Sequence, residues 1–311
     1  MAYKHGVYTS EVPTSVVPAV NTAAGLPVVF GTAPVHLASE RAQTNKPILC
    51  YSYAEAVQQL GYSKDWAKYT LCEVMYSQFA LYNRGPVVFV NVLDPKTHKK
   101  STSSKNVTVT NKVAKVDAPV LLDTLQIKAS TAGSALIAGS DYEAAYDDDG
   151  VLVITLLDDG TATAASNLTL TYDEIDAAAV DADDIIGGIN VSDGSVKGLE
   201  CLNKVFPITG LVPGIVLAPG WSENPTVAAV MKAKAGNINS HFKAITLNDV
   251  PTDSVKKYTD VKNWMNQNSY NDASQVVCWP MVKMGDDVYH MSTHVLGVIS
   301  TVDSNNDDIP Y

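Results

Sequence analysis

Apolar residues fall along this chain in two rhythms. One is the short unbroken run: Leu26–Pro27–Val28–Val29–Phe30–Gly31, Lys46–Pro47–Ile48–Leu49–Cys50, Pro86 to Leu93, and Gly214–Ile215–Val216–Leu217–Ala218. Runs of this length read as strands, the longest of them buried on both faces. The other rhythm is helical. Ser52–Tyr53–Ala54–Glu55 is a capping-box pattern, and the helix it predicts runs from Tyr53 to Leu60 with Gly61 behind it. A second helix is expected over 66–83, where Tyr69, Cys72, Met75, Tyr76, Phe79 and Tyr82 stand three and four apart as a core stripe. Further helices are expected at 197–206, 224–239 and 253–268, with strands at 242–247 and 274–280 between and after them. Strands alternating with helices of this length predict a largely parallel sheet covered on both faces.

Between the two α/β stretches the period changes. Residues 96–105 hold lysine, serine and threonine without apolar beads and read as a linker. Beyond them come short β-branched runs at 107–110, 125–128, 151–156 and 168–172, with turn residues such as Asp149–Gly150 and Asp159–Gly160 between them. An antiparallel β-sandwich-like domain inserted into a discontinuous α/β core is the expected result. Charge marks the same segment. The chain carries a net −11, yet residues 106–195 hold 16 acidic side chains against the three lysines Lys112, Lys115 and Lys128, a local balance of −13, so the remainder is close to neutral. Such a surface repels its own kind and nucleic acid alike.

The first twenty-five residues follow neither rhythm. From Gly6 to Val20 β-branched residues are interrupted by Pro13 and Pro18, and no helical spacing is present. Proline fixes φ and removes a backbone donor, so this arm is suited to an edge or peripheral strand, never a central one. A strand without a partner at a terminus invites β-addition to a neighbouring subunit; a loosely held tail is the plain alternative. The arm residues singled out for inter-subunit contact are Gly6, Val7, Tyr8, Glu11, Val12, Pro13, Val16 and Val17.

With 311 residues and 46% hydrophobic content, the chain is long enough for about two domains with a sizeable core. No apolar run approaches the roughly 20 residues of a membrane span, and the start lacks the apolar region of a secretory signal, so cytoplasmic synthesis is expected. Cys50, Cys72, Cys201 and Cys278 are scattered without a Cys-x-x-Cys, which predicts buried free thiols and neither a zinc knuckle nor a disulfide framework. His290 and His294 have the i, i+4 spacing of a zinc helix. Met291, however, stands where a zinc peptidase needs glutamate, and no third ligand follows. The turn Asp147–Asp148–Asp149–Gly150 lacks the alternate spacing of a calcium loop. No phosphate-binding glycine motif and no nucleophile elbow occur. Ala218–Pro219–Gly220 follows a strand where open α/β sheets bind ligands, and it is the one enzyme-like hint.

In this order, the motifs resemble the sheath proteins of contractile bacteriophage tails. Gly6–Val7–Tyr8 followed by Glu11–Val12–Pro13 is similar to that family's opening, Val28–Val29–Phe30–Gly31–Thr32–Ala33 to its first core strand, and Val216–Leu217–Ala218–Pro219–Gly220 to the strand entering its second half. Trp279–Pro280–Met281–Val282–Lys283, then His294–Val295–Leu296–Gly297–Val298 and Asp303, resembles its closing strand and helix. The segment 106–195 carries no matching motif. Family members usually continue beyond a position such as Tyr311 into a C-terminal region with a second exchange arm, so the resemblance implies that this chain is a fragment.

What the resemblance implies is a structural protomer, not an enzyme, that polymerises helically around a tail tube and contracts to drive the tube through a host envelope. No cofactor or metal is expected. The implied partners are other copies of the chain, the tail tube protein, and baseplate and tail terminator proteins, without direct nucleic-acid contact or membrane insertion. Its implied place is the virion tail, assembled in the bacterial cytoplasm. The expected organisation is an arm at 1–25, an α/β core at 26–100 plus 196–311, and the inserted acidic β domain at 101–195. Two other readings stay open at this point: a particle-surface adhesin using the acidic domain, and a small-molecule enzyme using the strand ends near Ala218 to Gly220.

Overall fold

The apolar run Leu26–Gly31 (β1) is buried at every position because it lies at the middle of a six-stranded sheet. The computed structural model of the chain describes residues 25–131 and 133–306, together with the backbone of Val20 and Asn21. The other strands of this sheet are Ile48–Cys50 (β2), Val87–Asn91 (β3), Pro213–Leu217 (β4), Ile245–Asp249 (β5) and Gln275–Cys278 (β6). They lie in the order β6-β5-β4-β1-β3-β2. Five are parallel, in registers such as Val28 against Val88 and Val216 against Val28, and only β2 runs antiparallel, with Cys50 opposite Val87. The strand order reverses between β1 and β4. In its first half the polypeptide goes from β1 to the edge strand β2 and returns to β3 between them, and in its second it builds outward from β4 through β5 to β6, around the reversal of an open α/β sheet.

The helices are Tyr53–Leu60 (α1), Thr70–Met75 (α2), Leu202–Thr209 (α3), Pro225–Ala235 (α4), Tyr258–Gln267 (α5) and Met291–Asn305 (α6), with a five-residue helix at Ala182–Ile186. Side chains from α1, α2, α3, α4 and α6 join the strands in one apolar cluster, while α5 buries none of its residues. Ser52 caps α1 by accepting from the Glu55 N–H at 3.3 Å. The Glu55 carboxylate reaches back to the N–H of Tyr51 at 2.8 Å, one residue before the N-cap. Asn224 caps α4 with Pro225 at its first position. All four cysteines are free and buried, as expected. No helix among the described residues is long and apolar enough to cross a membrane.

Three sequence expectations are corrected. The single helix expected over 66–83 is instead a turn, the short α2, and a turn of π-helix at Tyr76–Leu81. Thr32 at the end of β1 decides where α2 begins: its hydroxyl accepts from the Thr70 N–H at 3.2 Å and its carbonyl from Leu71 at 3.0 Å. The tract 96–105, expected as a linker, belongs largely to the ten-residue strand Lys99–Thr108, paired antiparallel with Asn167–Ile175. It is the outer strand of its sheet, so it needs no apolar face. Its lysines discourage edge-to-edge pairing, with Lys99 on Asp173 at 2.5 Å and Lys100 on Asp176 at 2.9 Å. The helix expected from 197 begins as a 3-10 turn at Gly198–Cys201, and its first residue is glycine because the backbone there is left-handed and a side chain would lie 2.4 Å from the Ile185 carbonyl.

Residues 99–175 hold two three-stranded antiparallel sheets. One is Lys99–Thr108, Asn167–Ile175 and Gln126–Lys128; the other is Val113–Val116, Leu152–Leu156 and Tyr142–Tyr146. Ile127, Leu168 and Leu170 of the first meet Ala114, Leu152, Ile154 and Leu156 of the second in an apolar cluster separate from that of the α/β sheet. Period-two alternation along Leu152–Leu156 turns Leu152, Ile154 and Leu156 inward. Ile175, Val180 and Ile185 pack into the larger cluster instead.

Glycine in the middle of α6 is unfavourable for helix formation, and packing explains it. A Cβ at Gly297 would lie 2.2 Å from the Tyr82 ring, which crosses the helix here and hydrogen-bonds His294 Nδ1 through its hydroxyl at 2.9 Å. Gly297→Ala is therefore expected to lower stability by about 1–3 kcal/mol despite its better helix propensity, read as a reduced urea midpoint with an unchanged m-value. An unchanged or raised midpoint contradicts this packing.

Candidate functional site

The arm residues Gly6, Val7, Tyr8, Glu11, Val12, Pro13, Val16 and Val17 all lie outside the described residues. What is described is the base of the arm. Val20–Asn21 pairs in parallel with Arg84–Gly85, Val20 opposite Arg84 and Asn21 opposite Gly85, just ahead of β3. Gly25 then passes the last turns of α6, where a Cβ would meet Asp303 at 3.1 Å.

The enzyme-like position at the strand ends is filled by protein. Gly220, in the left-handed region at φ 76°, lies where a Cβ would contact Thr70 at 3.4 Å and the His290 ring at 3.7 Å. His290 is not part of the helix that carries His294. It has an extended backbone at the N-cap of α6, and its side chain caps nothing. Two carboxylates from distant elements replace the missing cap. Glu73, in α2 and 1% exposed, accepts from the His290 N–H at 2.7 Å and from the Thr293 hydroxyl at 3.2 Å through Oε1, while Oε2 holds His290 Nδ1 at 2.7 Å. Asp249, the last residue of β5, accepts from the Ser292 N–H at 3.0 Å and its hydroxyl at 2.5 Å. Ser222 steadies Asp249 through a 3.0 Å bond to its N–H, and the Tyr270 hydroxyl donates to the Ser222 carbonyl at 2.7 Å. The positive end of the helix dipole lies against both carboxylates.

Electrostatics fix the protonation of this cluster. Burial works against a charge on His290, yet the hydrogen bond and attraction of Glu73, with Asp249 and Glu223 behind it, hold its pKa up at about 9. Burial pushes the Asp249 and Glu223 carboxyls above their ordinary range, opposed in both by His290. His294 is lowered by burial and takes the Tyr82 hydroxyl as its partner. A histidine that keeps its proton at neutral pH is no general base, the Ser292 hydroxyl is spent as a donor to Asp249, and the Thr293 hydroxyl is shared between the His290 carbonyl at 2.9 Å and Glu73 at 3.2 Å. The arrangement is an ionic clamp that fastens α6 to α2 and β5. It takes the two histidines that the zinc-like spacing brought to notice and gives each a different partner. Glu73 and Asp249 escaped sequence reasoning. The one signal was an acid inside the apolar stripe of the second helix. Among the described residues no group of side chains is placed to hold a metal ion. An open groove of about 610 Å3 between the two clusters is lined by charges of both signs, Arg41, Lys96 and Lys99 with Asp94 and Asp123, which select no ligand class.

Because the folded pKa of His290 lies above its ordinary 6.5, the stability it confers is complete below about pH 6.5 and drains as pH rises toward about 9. Urea midpoints measured across that window are expected to fall. Glu73→Gln is expected to remove about 3 kcal/mol near pH 7 and to flatten the dependence; a variant with the wild-type slope would show that the clamp is not its source.

No protein-family profile matches this chain. A tail sheath protein of Burkholderia phage BcepMu is 28% identical to it over 294 residues, an alignment that takes in 91% of this chain and 57% of that protein. The chain thus spans somewhat more than half the length of this relative. The alignment extends well beyond the short motifs at the strand ends, and by sequence the chain is similar to this tail sheath protein along most of its length.

Proposed function

We propose that this chain is the structural protomer of a contractile tail sheath, polymerising helically around a tail tube and shortening to drive the tube through a host envelope. The observation that carries the reading is the alignment with a tail sheath protein over 91% of the chain. The site chemistry is consistent with a non-enzymatic role, since the crevice of the α/β sheet is closed by the clamp of Glu73, His290 and Asp249. In such a protomer the α/β sheet is the rigid body. The arm of residues 1–25 tethers neighbours by backbone pairing while side-chain surfaces slide, and head-to-tail contacts that do not close generate the tube. Its partners are other copies of itself, a tube protein, and baseplate and terminator proteins, and its place is the virion tail, assembled in the host cytoplasm. The acidic β unit formed by the two sheets of residues 99–175 is an inserted domain that projects outward, where like charge keeps assembled tails from clumping, while Ile175, Val180 and Ile185 return to the α/β core.

Removal of Met1 to Val20 from the complete protein is expected to abolish sheath tubes in electron micrographs while leaving the cooperative melt unchanged; normal tubes from the deletion would refute the tether. The insertion has its own test. Thr102 and Tyr172 face each other across the strand pair, so a two-residue Asn-Gly turn can join them with residues 103–171 excised. The shortened chain is expected to melt cooperatively, and loss of that transition would contradict an independent inserted unit.

A further inference from the structure

The two ends of the α/β sheet carry unlike surfaces. At the strand ends a short hairpin stands out from the core, with Gly188–Ile189 paired antiparallel to Val196–Lys197. Asn45 fixes its place: the Asn45 N–H donates to the Asn91 carbonyl at the end of β3 at 2.8 Å, and its side-chain oxygen accepts from the Gly198 N–H at 2.8 Å. The turn is held by its own bonds. The Asn190 N–H donates to the Ser195 carbonyl at 2.8 Å, Asn190 Oδ1 accepts from the Ser192 N–H at 3.0 Å, and Asp193 accepts from the Ser195 N–H at 2.8 Å. Fastened in this way, the hairpin displays Ile189, 61% exposed, and Val191, wholly exposed. Four aspartates, Asp181, Asp183, Asp184 and Asp193, stand against the single Lys197 between residues 181 and 198. The result is a knob with an apolar tip and an acidic surround.

The opposite end is apolar and basic. Helix α3 finishes with Phe206, Pro207 and Ile208 shortly ahead of β4, and Phe242 stands three residues before β5, so all four lie on the side where strands begin. The rings of Phe206 and Phe242 meet at 5.2 Å, leaving Phe206 38% and Ile208 48% exposed. Residues 201–222 and 224–248 contain no acid. Of the lysines there, Lys232 and Lys234 are engaged by Asp272 and Glu200, while Lys204 and Lys243 have no carboxylate partner among the described residues.

We propose that the knob of one copy seats on this face of a second copy, with Ile189 and Val191 against Phe206, Ile208 and Phe242 and the aspartates toward Lys204 and Lys243. The proposal rests on the sheath reading and deepens it, for it names the surfaces of a head-to-tail contact. Charge selects the occupant. An acidic knob complements a basic face, whereas knob on knob or face on face would set like charges together. The apolar tip supplies the contact that charge alone lacks, and its prior fastening spares the cost of ordering a loop on docking. Distance excludes the chain's own knob: the five residues of β4 put about 16 Å between strand starts and strand ends. One molecule therefore cannot close the pair on itself, and a contact between unlike ends repeats from copy to copy.

Sedimentation velocity of the full chain at rising concentration is expected to show open-ended association that weakens as salt is raised. Ile189→Asp with Val191→Asp, and separately Ile208→Asp, are each expected to weaken it at least tenfold. All three positions are at the surface, so circular dichroism and melting should be unchanged. Lys204→Glu with Lys243→Glu disrupts the same face without altering an apolar side chain and is expected to act alike, while Leu122→Asp, at an exposed apolar site of the β unit, should leave association intact. Polarity is read by mixing. The knob variant keeps a sound face and Ile208→Asp keeps a sound knob, so the mixture is expected to form pairs that grow no further, while each variant alone stays monomeric. A wild-type chain that is monomeric at millimolar concentration, association indifferent to these variants, or a mixture that does not pair overturns the proposal. So does Ile208→Asp chain that still dimerises by itself, since the knob would then meet another knob. The same substitutions in the complete protein keep the two readings apart: tubes that still form in electron micrographs sink the docking and spare the sheath, and capped pairs from a protein that builds no tubes do the reverse.

Discussion

The architecture turns on one buried electrostatic junction, where Glu73 and Asp249 together grip the first turn of α6. The two carboxylates come from opposite halves of the sheet, Glu73 from the connection between β2 and β3 and Asp249 from the end of β5, and more than two hundred residues separate Glu73 from His290. Desolvating two carboxylates is costly unless their oxygens are satisfied. Here the four oxygens find a protonated imidazole, two hydroxyls and two backbone donors at a helix N-terminus. Removing any one element would leave buried charge unpaired, so α2, β5 and α6 hold together as a set.

Rigidity at the strand ends has a functional corollary. In an open α/β sheet the crevice where strand order reverses is the customary ligand site. This chain places a charged histidine ring and Thr70 there against Gly220, and spends the neighbouring hydroxyls on carboxylates. The exposed features lie at the periphery: the arm base on Arg84–Gly85, Val298 and Val302 of α6, and the β unit with its acidic turns.

The strands were legible where composition and environment agree. Leu26–Gly31, Val87–Asn91 and Pro213–Leu217 are apolar because helices cover both faces, and local sequence carries that fact directly. The capping signal at Ser52 was legible for the same reason, since a side chain three residues away does the work. Lys99–Thr108 was not, because an edge strand facing water draws its stability from one neighbour and shows no apolar pattern of its own. The single long helix expected over 66–83 failed where Thr32, nearly forty residues away, set the start of α2.

By itself the sequence determined the alternation of buried strands and helices, the change of period and charge at 106–195, the buried thiols, and a proline-punctuated leading segment unsuited to a core. Those properties are local, written in side-chain chemistry and spacing over a few residues. Only the tertiary structure decided that His290 and His294 part company, that Glu73 and Asp249 cap a helix neither belongs to, that Gly297 makes room for a tyrosine ring, and that α6 turns its valines outward. Each of these depends on groups brought together from far along the chain, where the energy of a buried charge or a close contact outweighs any preference a short stretch of residues can express.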